Sequence, residues 1–146
     1  RYNIVDLPGT YSLSANSEEE IITRDYIASG QADIVCILAD SSQLSRSLFM
    51  LADYAGILCP AVLLLNLMDV AEEQGKIIEA EKLREKLGIP VIPFVAADLS
   101  KYDLFYNVVD TALEEKRLLN IATLTEKYSL PGRPTQPDMA AWTSNT

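Results

Sequence analysis

The chain has 146 residues, of which 49% are hydrophobic and 23% charged, and its formal net charge is −9. The length and composition fit one compact globular domain, and the negative charge argues against nucleic acid or anionic lipid as a nonspecific partner. The sequence contains no histidine, which excludes Ser-His-Asp and Cys-His catalysis and most zinc sites.

The first forty residues are predicted to form a strand, a helix and a second strand. Residues 2–6 have the pattern of a short buried strand. Ser17 and Glu20 have the spacing of a capping box, and the helix that they begin is expected to end at Gly30. Residues 33–40 are apolar on both faces, as are the strands of parallel sheets that helices cover on both sides.

Helices and strands continue to alternate as far as residue 119. A helix beginning near Ser42 has one apolar stripe, formed by Leu44, Leu48, Leu51 and Ala55. A doubly buried strand at 61–66, a helix at 79–87 capped by Gly88 and a strand at 91–95 follow. The last helix, at 103–119, is expected to face the core through Leu104, Val108, Thr111 and Leu118. The alternation predicts a doubly wound, mostly parallel α/β sheet.

Composition changes near residue 120, where the apolar periodicity ends. Several prolines and a glycine interrupt the polar sequence that follows, so residues 1–119 are predicted to be the domain and 120–146 a linker or disordered tail. The two cysteines, Cys36 and Cys59, lie in or beside apolar runs and are predicted to be buried free thiols.

The first motif with chemical meaning is Asp6-Leu7-Pro8-Gly9, directly after the first predicted strand. A carboxylate at the end of a parallel strand can hold Mg²⁺ through water, and the Gly9 amide can donate to a γ-phosphate. In isolation this tetrapeptide is more typical of an ordinary turn after a strand.

The second motif is Asn66-Leu67-Met68-Asp69, at the end of the third predicted strand. The Asp69 carboxylate suits the N1 and N2 hydrogens of guanine, and the Asn66 amide can brace the ring and neighbouring loops. Alone, the motif is also typical of a polar strand-to-helix loop. D-x-x-G after one strand and N-x-x-D two strands later, however, is the order found in a GTPase sheet.

Longer segments resemble one family of GTP-binding domains. The run DLPGTYSL at residues 6–13, with EEEI at 18–21 and RDYI at 24–27, is similar to the second switch region of the ferrous iron transport protein B (FeoB) family. Residues 40–48, 66–69 and 87–93 are also similar to it, and the resemblance extends over about residues 2–119.

The resemblance implies a G domain of the P-loop NTPase type, attached to a membrane permease for Fe²⁺ on the cytoplasmic side of the bacterial inner membrane. GTP or GDP with Mg²⁺ is the implied ligand, and slow GTP hydrolysis is the implied regulator of transport. Residues 10–24 would be a mobile switch segment. Asp6 would serve Mg²⁺ through water and Gly9 the γ-phosphate, whereas guanine would be bound by Asn66, Asp69, Ala96 and Ala97.

The sequence departs from the family pattern in three ways. No G-x-x-x-x-G-K-[ST] phosphate-binding loop occurs in the 146 residues, nor does the switch threonine that precedes D-x-x-G. The family's Ser-Ala guanine loop stands here as Val95-Ala96-Ala97. We therefore expect an N-terminally incomplete G domain, lacking the first strand and the P-loop, that by itself neither binds GTP tightly nor hydrolyses it, although its intact parent is a GTPase.

The resemblance places the absent strand between the two strands predicted at 2–6 and 33–40, which leaves three outcomes open. The two strands could pair directly, a second copy could donate a strand to give an exchanged homodimer, or the N-terminal segment could detach. The first two are favoured because apolar strands need cover.

Two other interpretations were considered. A phospho-receiver domain would place Asp6, Asp40 and Lys101 at strand ends, but that fold needs an acidic pair after its first strand, and Leu-Pro-Gly follows Asp6 here. A degenerate G-like domain that binds no nucleotide and acts through protein contacts remains the alternative to the GTP-binding interpretation.

Overall fold

The computed structural model describes residues 1–9, 17–48, 51 and 59–119. Within this part of the chain, three strands form one parallel sheet: β1 (Val35–Asp40), β2 (Ala61–Asn66) and β3 (Val91–Pro93). Their order in the sheet follows the sequence, so β2 is the central strand. Parallel neighbours need crossover connections, which is the α/β arrangement that the sequence predicts.

Among the described residues, five α-helices surround or flank the sheet: α1 (Glu18–Ala28), α2 (Leu44–Leu48), α3 (Met68–Glu73), α4 (Ala80–Leu87) and α5 (Tyr102–Glu115). The predicted cap of α1 is confirmed, because the Ser17 hydroxyl accepts the Glu20 N–H at 3.2 Å. The predicted cap of α4 is also confirmed, since Gly88 has a left-handed φ of 70°. The short helix α3, directly after the Asn66 strand, was not expected from the sequence.

The core has one layer on each face of β2. Residues 61–65 are all buried. On one face Leu63 and Leu65 belong to a cluster that includes residues from α1, α2 and α4; on the other, Val62 and Leu64 pack with Ile92 and with Ala112 of α5. A strand buried on both faces explains the uninterrupted apolar sequence Ala-Val-Leu-Leu-Leu.

β1 is covered on one face only, which contradicts the prediction of a doubly buried strand. Ile37 and Ala39 are buried, whereas Cys36 is exposed and Leu38 keeps 59% of its surface accessible. On this side of the sheet, α5 packs against β2. The prediction that Cys36 is buried is therefore wrong, although Cys59 is buried and neither cysteine forms a disulfide, as expected.

The prediction of a strand at residues 2–6 is also wrong. This segment belongs to no strand, and Ile4 and Val5 are 83% and 53% exposed. A strand exists only with a hydrogen-bonded neighbour, and the structure pairs β1 with β2 alone among the described residues. The segment instead lies near α5, where Tyr2 stacks on Tyr106 with ring centroids 5.7 Å apart and its hydroxyl donates to Asp110.

Two further boundaries differ from the predictions. β3 ends at Pro93 rather than at residue 95, and α5 ends at Glu115, where Lys116 has a left-handed φ of 52°. The core-facing side of α5 is also shifted. Leu104 and Leu118 are exposed, and the helix packs inward through the stripe Phe105, Val108, Val109 and Ala112. Thr111 of the predicted stripe is exposed as well, whereas Val108 belongs to both stripes, and the buried one includes Phe105, whose ring contacts Phe94.

Three predictions fall partly or wholly outside the described residues. They are the continuation of the helix from Ser42 towards residue 56, the mobility of residues 10–17, and the nature of the tail at 120–146. The stripe residues Leu48 and Leu51, which are described, are fully buried as expected.

Candidate functional site

The carboxyl ends of the three strands lie along one edge of the sheet. In the register of the strands Asp40 is level with Asn66, and Leu65 is level with Pro93. Ligands of open α/β sheets bind at this edge, because strands end there and loops begin. Of the predicted guanine residues, Asn66 ends β2 and the others follow β2 or β3, so the fold brings both segments to the same end of the sheet.

Asn66 connects the ends of β2 and β3. Its side chain is half-buried, and its Oδ1 accepts the backbone N–H of Ala96 at 3.0 Å across thirty residues of sequence. The Phe94 N–H donates to the Leu65 carbonyl at 2.8 Å and continues the ladder beyond β3. The predicted role of Asn66 in bracing a neighbouring loop is thus present without any ligand.

The two alanines that were predicted to bind guanine together differ in the hydrogen bonding of their backbone N–H groups. The Ala96 N–H is already engaged, whereas the Ala97 N–H donates to no acceptor among the described residues. Both residues are exposed. Of the two backbone amides, only that of Ala97 is available to a ligand without breaking an existing bond.

Asp69 lies in the first turn of α3 and is exposed. The residue before the helix, Leu67, has a left-handed φ of 58°. This sharp change of direction lets β2 pass into α3 within one residue, so Asp69 follows the strand end closely. Lys76, just beyond α3, donates to the backbone carbonyl of Ser42 and links this helix to the end of β1.

A turn after Ala97 begins α5. The Asp98 carboxylate accepts the Ser100 N–H at 3.0 Å and the Ser100 hydroxyl at 2.6 Å. These two hydrogen bonds, with a smaller contribution from the positive charge of Lys101, hold the pKa of Asp98 below its usual range. The D-x-S pattern of residues 98–100 is typical of such a turn.

Asp6 and Gly9 lie on the exposed N-terminal segment. The segment is anchored next to them, since the Thr23 hydroxyl donates to the Pro8 carbonyl at 3.1 Å and Leu7 packs against the core. No hydrogen bond between described residues joins Asp6 or Gly9 to Asn66 or Asp69. A Cβ atom on Gly9 would meet nothing within 4 Å, so this structure does not require glycine there.

The comparisons with known proteins bear on this arrangement. A sequence profile of the family described as ferrous iron transport protein B matches residues 1–108. The chain belongs to the ferrous iron transport protein B family. It is 42% identical over 97 residues to the Fe(2+) transporter FeoB of Escherichia coli (strain K12), an alignment that covers 64% of this chain and 12% of the relative. The chain therefore spans about an eighth of that transporter.

Solved structures give the same result. The FeoB G-domain from Methanococcus jannaschii superposes with a TM-score of 0.72 at 37% identity, covering 75% of this chain and 70% of that one. The NFeoB of S. thermophilus bound to GDP.AlF4- and K+ superposes with a TM-score of 0.66 at 36% identity, covering 77% and 42%. The fold is that of a FeoB G domain, which is the P-loop NTPase type predicted from the sequence.

The described residues fit one part of the nucleotide that such domains hold. Asn66, Asp69 and the Ala97 amide offer the polar groups that guanine needs. For Mg²⁺ the described residues offer one exposed carboxylate, that of Asp6, and an ion of this kind completes its near-octahedral shell with nucleotide phosphates and water. Within the described ranges no three acidic or cysteine side chains are close enough to hold a metal ion. No helix in those ranges is long and apolar enough to cross a bilayer.

Proposed function

We propose that this chain is the guanine-reading part of a GTP-binding regulatory domain in a ferrous iron transporter. The Asp69 carboxylate accepts the N1 and N2 hydrogens of guanine, Asn66 braces the base loop, and the Ala97 N–H donates to O6. The observation that carries the proposal is the hydrogen bond from the Ala96 N–H to Asn66 Oδ1, at 3.0 Å. It joins the two sequence segments predicted to surround one base.

The transporter of which this chain is proposed to be a part supplies iron transport and nucleotide hydrolysis. In this proposal the domain is attached to a membrane permease for Fe²⁺ on the cytoplasmic side of the bacterial inner membrane, and GTP binding and hydrolysis regulate transport. Asp6 holds Mg²⁺ through water, and the Gly9 amide donates to the γ-phosphate. The solved relative with GDP.AlF4- and K+ supports a guanine nucleotide as the ligand.

The 146 residues alone are proposed to bind GTP weakly. They contain no phosphate-binding loop, and a triphosphate without backbone amides and a lysine around it keeps most of its charge in water. Calorimetric titration of the chain with GTP and Mg²⁺ tests this. We expect a dissociation constant well above about 10 μM, which corresponds to roughly 7 kcal/mol of binding free energy; tighter binding would contradict it.

Base recognition is tested in the longer protein that joins these residues to a phosphate-binding loop. Asp69→Asn replaces an acceptor with an amide, so preference should move from guanine towards xanthine nucleotides. Loss of a bidentate charged pair corresponds to roughly 2–4 kcal/mol. Competition between GTP and XTP measures the change, and unchanged guanine preference would remove Asp69 from the site.

Two other possibilities are tested separately, one in the longer protein and one in the 146-residue chain. If neither guanine nor xanthine nucleotides bind the longer protein, the domain acts by protein contact without nucleotide. A strand-exchanged homodimer is proposed from the open side of β1, which pairs only with β2 among the described residues. Light scattering of the chain at several concentrations decides between monomer and dimer.

A further inference from the structure

The loop after β3 is held at one residue from two directions. Ala96 donates its N–H to Asn66 Oδ1 at 3.0 Å and accepts the Tyr102 hydroxyl on its carbonyl oxygen at 2.8 Å. Asn66 ends β2, and Tyr102 begins α5. Both polar groups of a single exposed loop residue are therefore fixed by side chains from opposite sides of the loop.

The Tyr102 ring is itself held by the core. It meets the ring of Phe94 edge-on, with centroids 5.3 Å apart and planes 67° apart. Phe94 is buried, and its N–H is bonded to the Leu65 carbonyl. The turn made by Asp98 and Ser100 fixes the start of α5, from which the tyrosine extends. The hydroxyl therefore reaches Ala96 from a ring with little freedom to move.

One peptide group connects the Tyr102–Ala96 hydrogen bond to the Ala97 N–H, the donor proposed for guanine O6. The carbonyl of Ala96 and the N–H of Ala97 belong to the same planar unit, and the chain contains no cis peptide among its described residues. In a trans peptide these two groups point in opposite directions. By holding the carbonyl on one side, the Tyr102 hydroxyl sets the direction of the Ala97 N–H on the other, and polarisation through the amide strengthens that donor.

We propose that Tyr102 is a positioning residue for guanine recognition, which orients the Ala97 N–H towards O6 of the base. The inference rests on the proposed function and deepens it. The inference also suggests what replaces the serine hydroxyl of the family's guanine loop. Val95-Ala96-Ala97 has no side-chain oxygen of its own, and the Tyr102 hydroxyl from the following helix forms a hydrogen bond to this loop instead.

The test is made on the full 146-residue chain by NMR titration with millimolar nucleotides. Tyr102→Phe removes the hydroxyl and keeps the ring against Phe94. Tyr106→Phe, one turn further along α5, is the matched control because its ring stacks on Tyr2 and not on the loop. Three probes are compared: GDP; 6-thio-GDP, in which sulfur replaces O6; and IDP, which lacks only the 2-amino group.

In the unchanged chain and in Tyr106→Phe, GDP should bind more tightly than either analogue. Tyr102→Phe should reduce the ratio of GDP to 6-thio-GDP affinity by roughly 2- to 12-fold, the value of one hydrogen bond. The ratio of GDP to IDP affinity reports the contact of Asp69 with the 2-amino group and should not change. A general loss of structure would lower both ratios together.

Each outcome decides between the two proposals. If GDP shifts the resonances of residues 66–69 and 96–98 in both the unchanged chain and Tyr102→Phe, with equal ratios for 6-thio-GDP, the role of Tyr102 is overturned while guanine binding stands. If no nucleotide shifts these resonances in the unchanged chain, guanine recognition is overturned and the role of Tyr102 with it. A fall confined to the O6 ratio supports Tyr102.

Discussion

The two ends of the proposed nucleotide site differ in how they are built. At the base end, Asn66, Ala96 and Tyr102 are connected to one another and to buried strands by hydrogen bonds of 2.8–3.0 Å. At the phosphate end, Asp6 and Gly9 lie on a segment that forms no strand and exposes the apolar side chain of Ile4. One end is joined to the core strands by hydrogen bonds of its own residues, whereas the other is held through its neighbours Leu7 and Pro8.

If the proposed site is correct, its two ends are ordered by different contacts. The contacts that shape the base end are also contacts that hold β2, β3 and α5 together, so folding of that part orders the base loop before any ligand arrives. The carboxylate of Asp6 has no comparable partners among the described residues. Preorganisation is therefore a property of the base end alone.

The largest expected effect is a loss of stability that compares the core with the N-terminal segment. Leu63 is fully buried on the central strand, and Leu63→Ala should reduce the free energy of unfolding by roughly 2–5 kcal/mol, because it leaves a cavity. Ile4→Ala in the N-terminal segment is the matched control and should change it by less than about 0.5 kcal/mol. Urea denaturation followed by circular dichroism measures both. A comparable loss in Ile4→Ala would mean that the two regions fold together.

The next effect separates the two functions of Asn66. Asn66→Ala removes the acceptor for the Ala96 N–H and should cost roughly 1–2 kcal/mol of stability. Asn66→Asp keeps an oxygen acceptor at the same place, so the Ala96 amide should retain its protection in hydrogen exchange. Equal loss of protection in the two variants would show that the amide nitrogen of Asn66, rather than its oxygen, holds the loop.

A smaller effect is expected at the contact between α3 and the end of β1. Lys76→Met removes the donor to the Ser42 carbonyl and should cost about 0.5–1.5 kcal/mol. Lys82→Met is the control, because its ion pair with Glu79 joins two side chains that are more than half exposed and such pairs contribute little. Thermal unfolding of the two variants should rank Lys76→Met as the less stable; the reverse order would contradict the link.

The smallest expected effect is the pH dependence of the turn before α5. The pKa of Asp98 is lowered by its hydrogen bonds to Ser100, so its contribution to the turn is complete above the ordinary aspartate range, near about 4. The contribution is lost as the pH falls through the lower folded value. NMR titration of the Asp98 carboxyl carbon measures its midpoint. Ser100→Ala should return that midpoint towards the ordinary range, and an unchanged midpoint would exclude the proposed cause.

Local signals in the sequence predicted local structure well. The Ser17 cap and the Gly88 cap were both predictable because a helix terminus depends on neighbours within one turn. The buried strand β2 was predictable from its continuous apolar run. The strand expected at residues 2–6 failed for the opposite reason: its existence depends on a hydrogen-bonding neighbour that no local pattern contains.

The site shows the same division. The N-x-x-D spacing drew attention to Asn66, and the strand order places the Ala96 loop beside it; guanine binding by Asn66 and Asp69 stays a prediction. The engagement of the Ala96 N–H by Asn66 could not be predicted, since it depends on how far β3 extends before the loop turns. The Tyr102 contact was equally hidden, because a six-residue separation says nothing about which way the first turn of α5 faces.

Because β1 is buried on one face and exposed on the other, one cysteine of the chain can be labelled selectively. Of its two cysteines, Cys59 is buried and its thiol faces the Ala32 carbonyl, whereas Cys36 stands on the open face beside Leu38. Although Cys36 is exposed as a residue, partial burial of its sulfur raises the pKa of the thiol. A maleimide dye should therefore attach to one position, slowly at neutral pH and faster in mild alkali. Any strand, helix or second copy that packs on this face would slow the labelling. The labelling rate of the unmodified chain therefore measures whether this face of the sheet is covered.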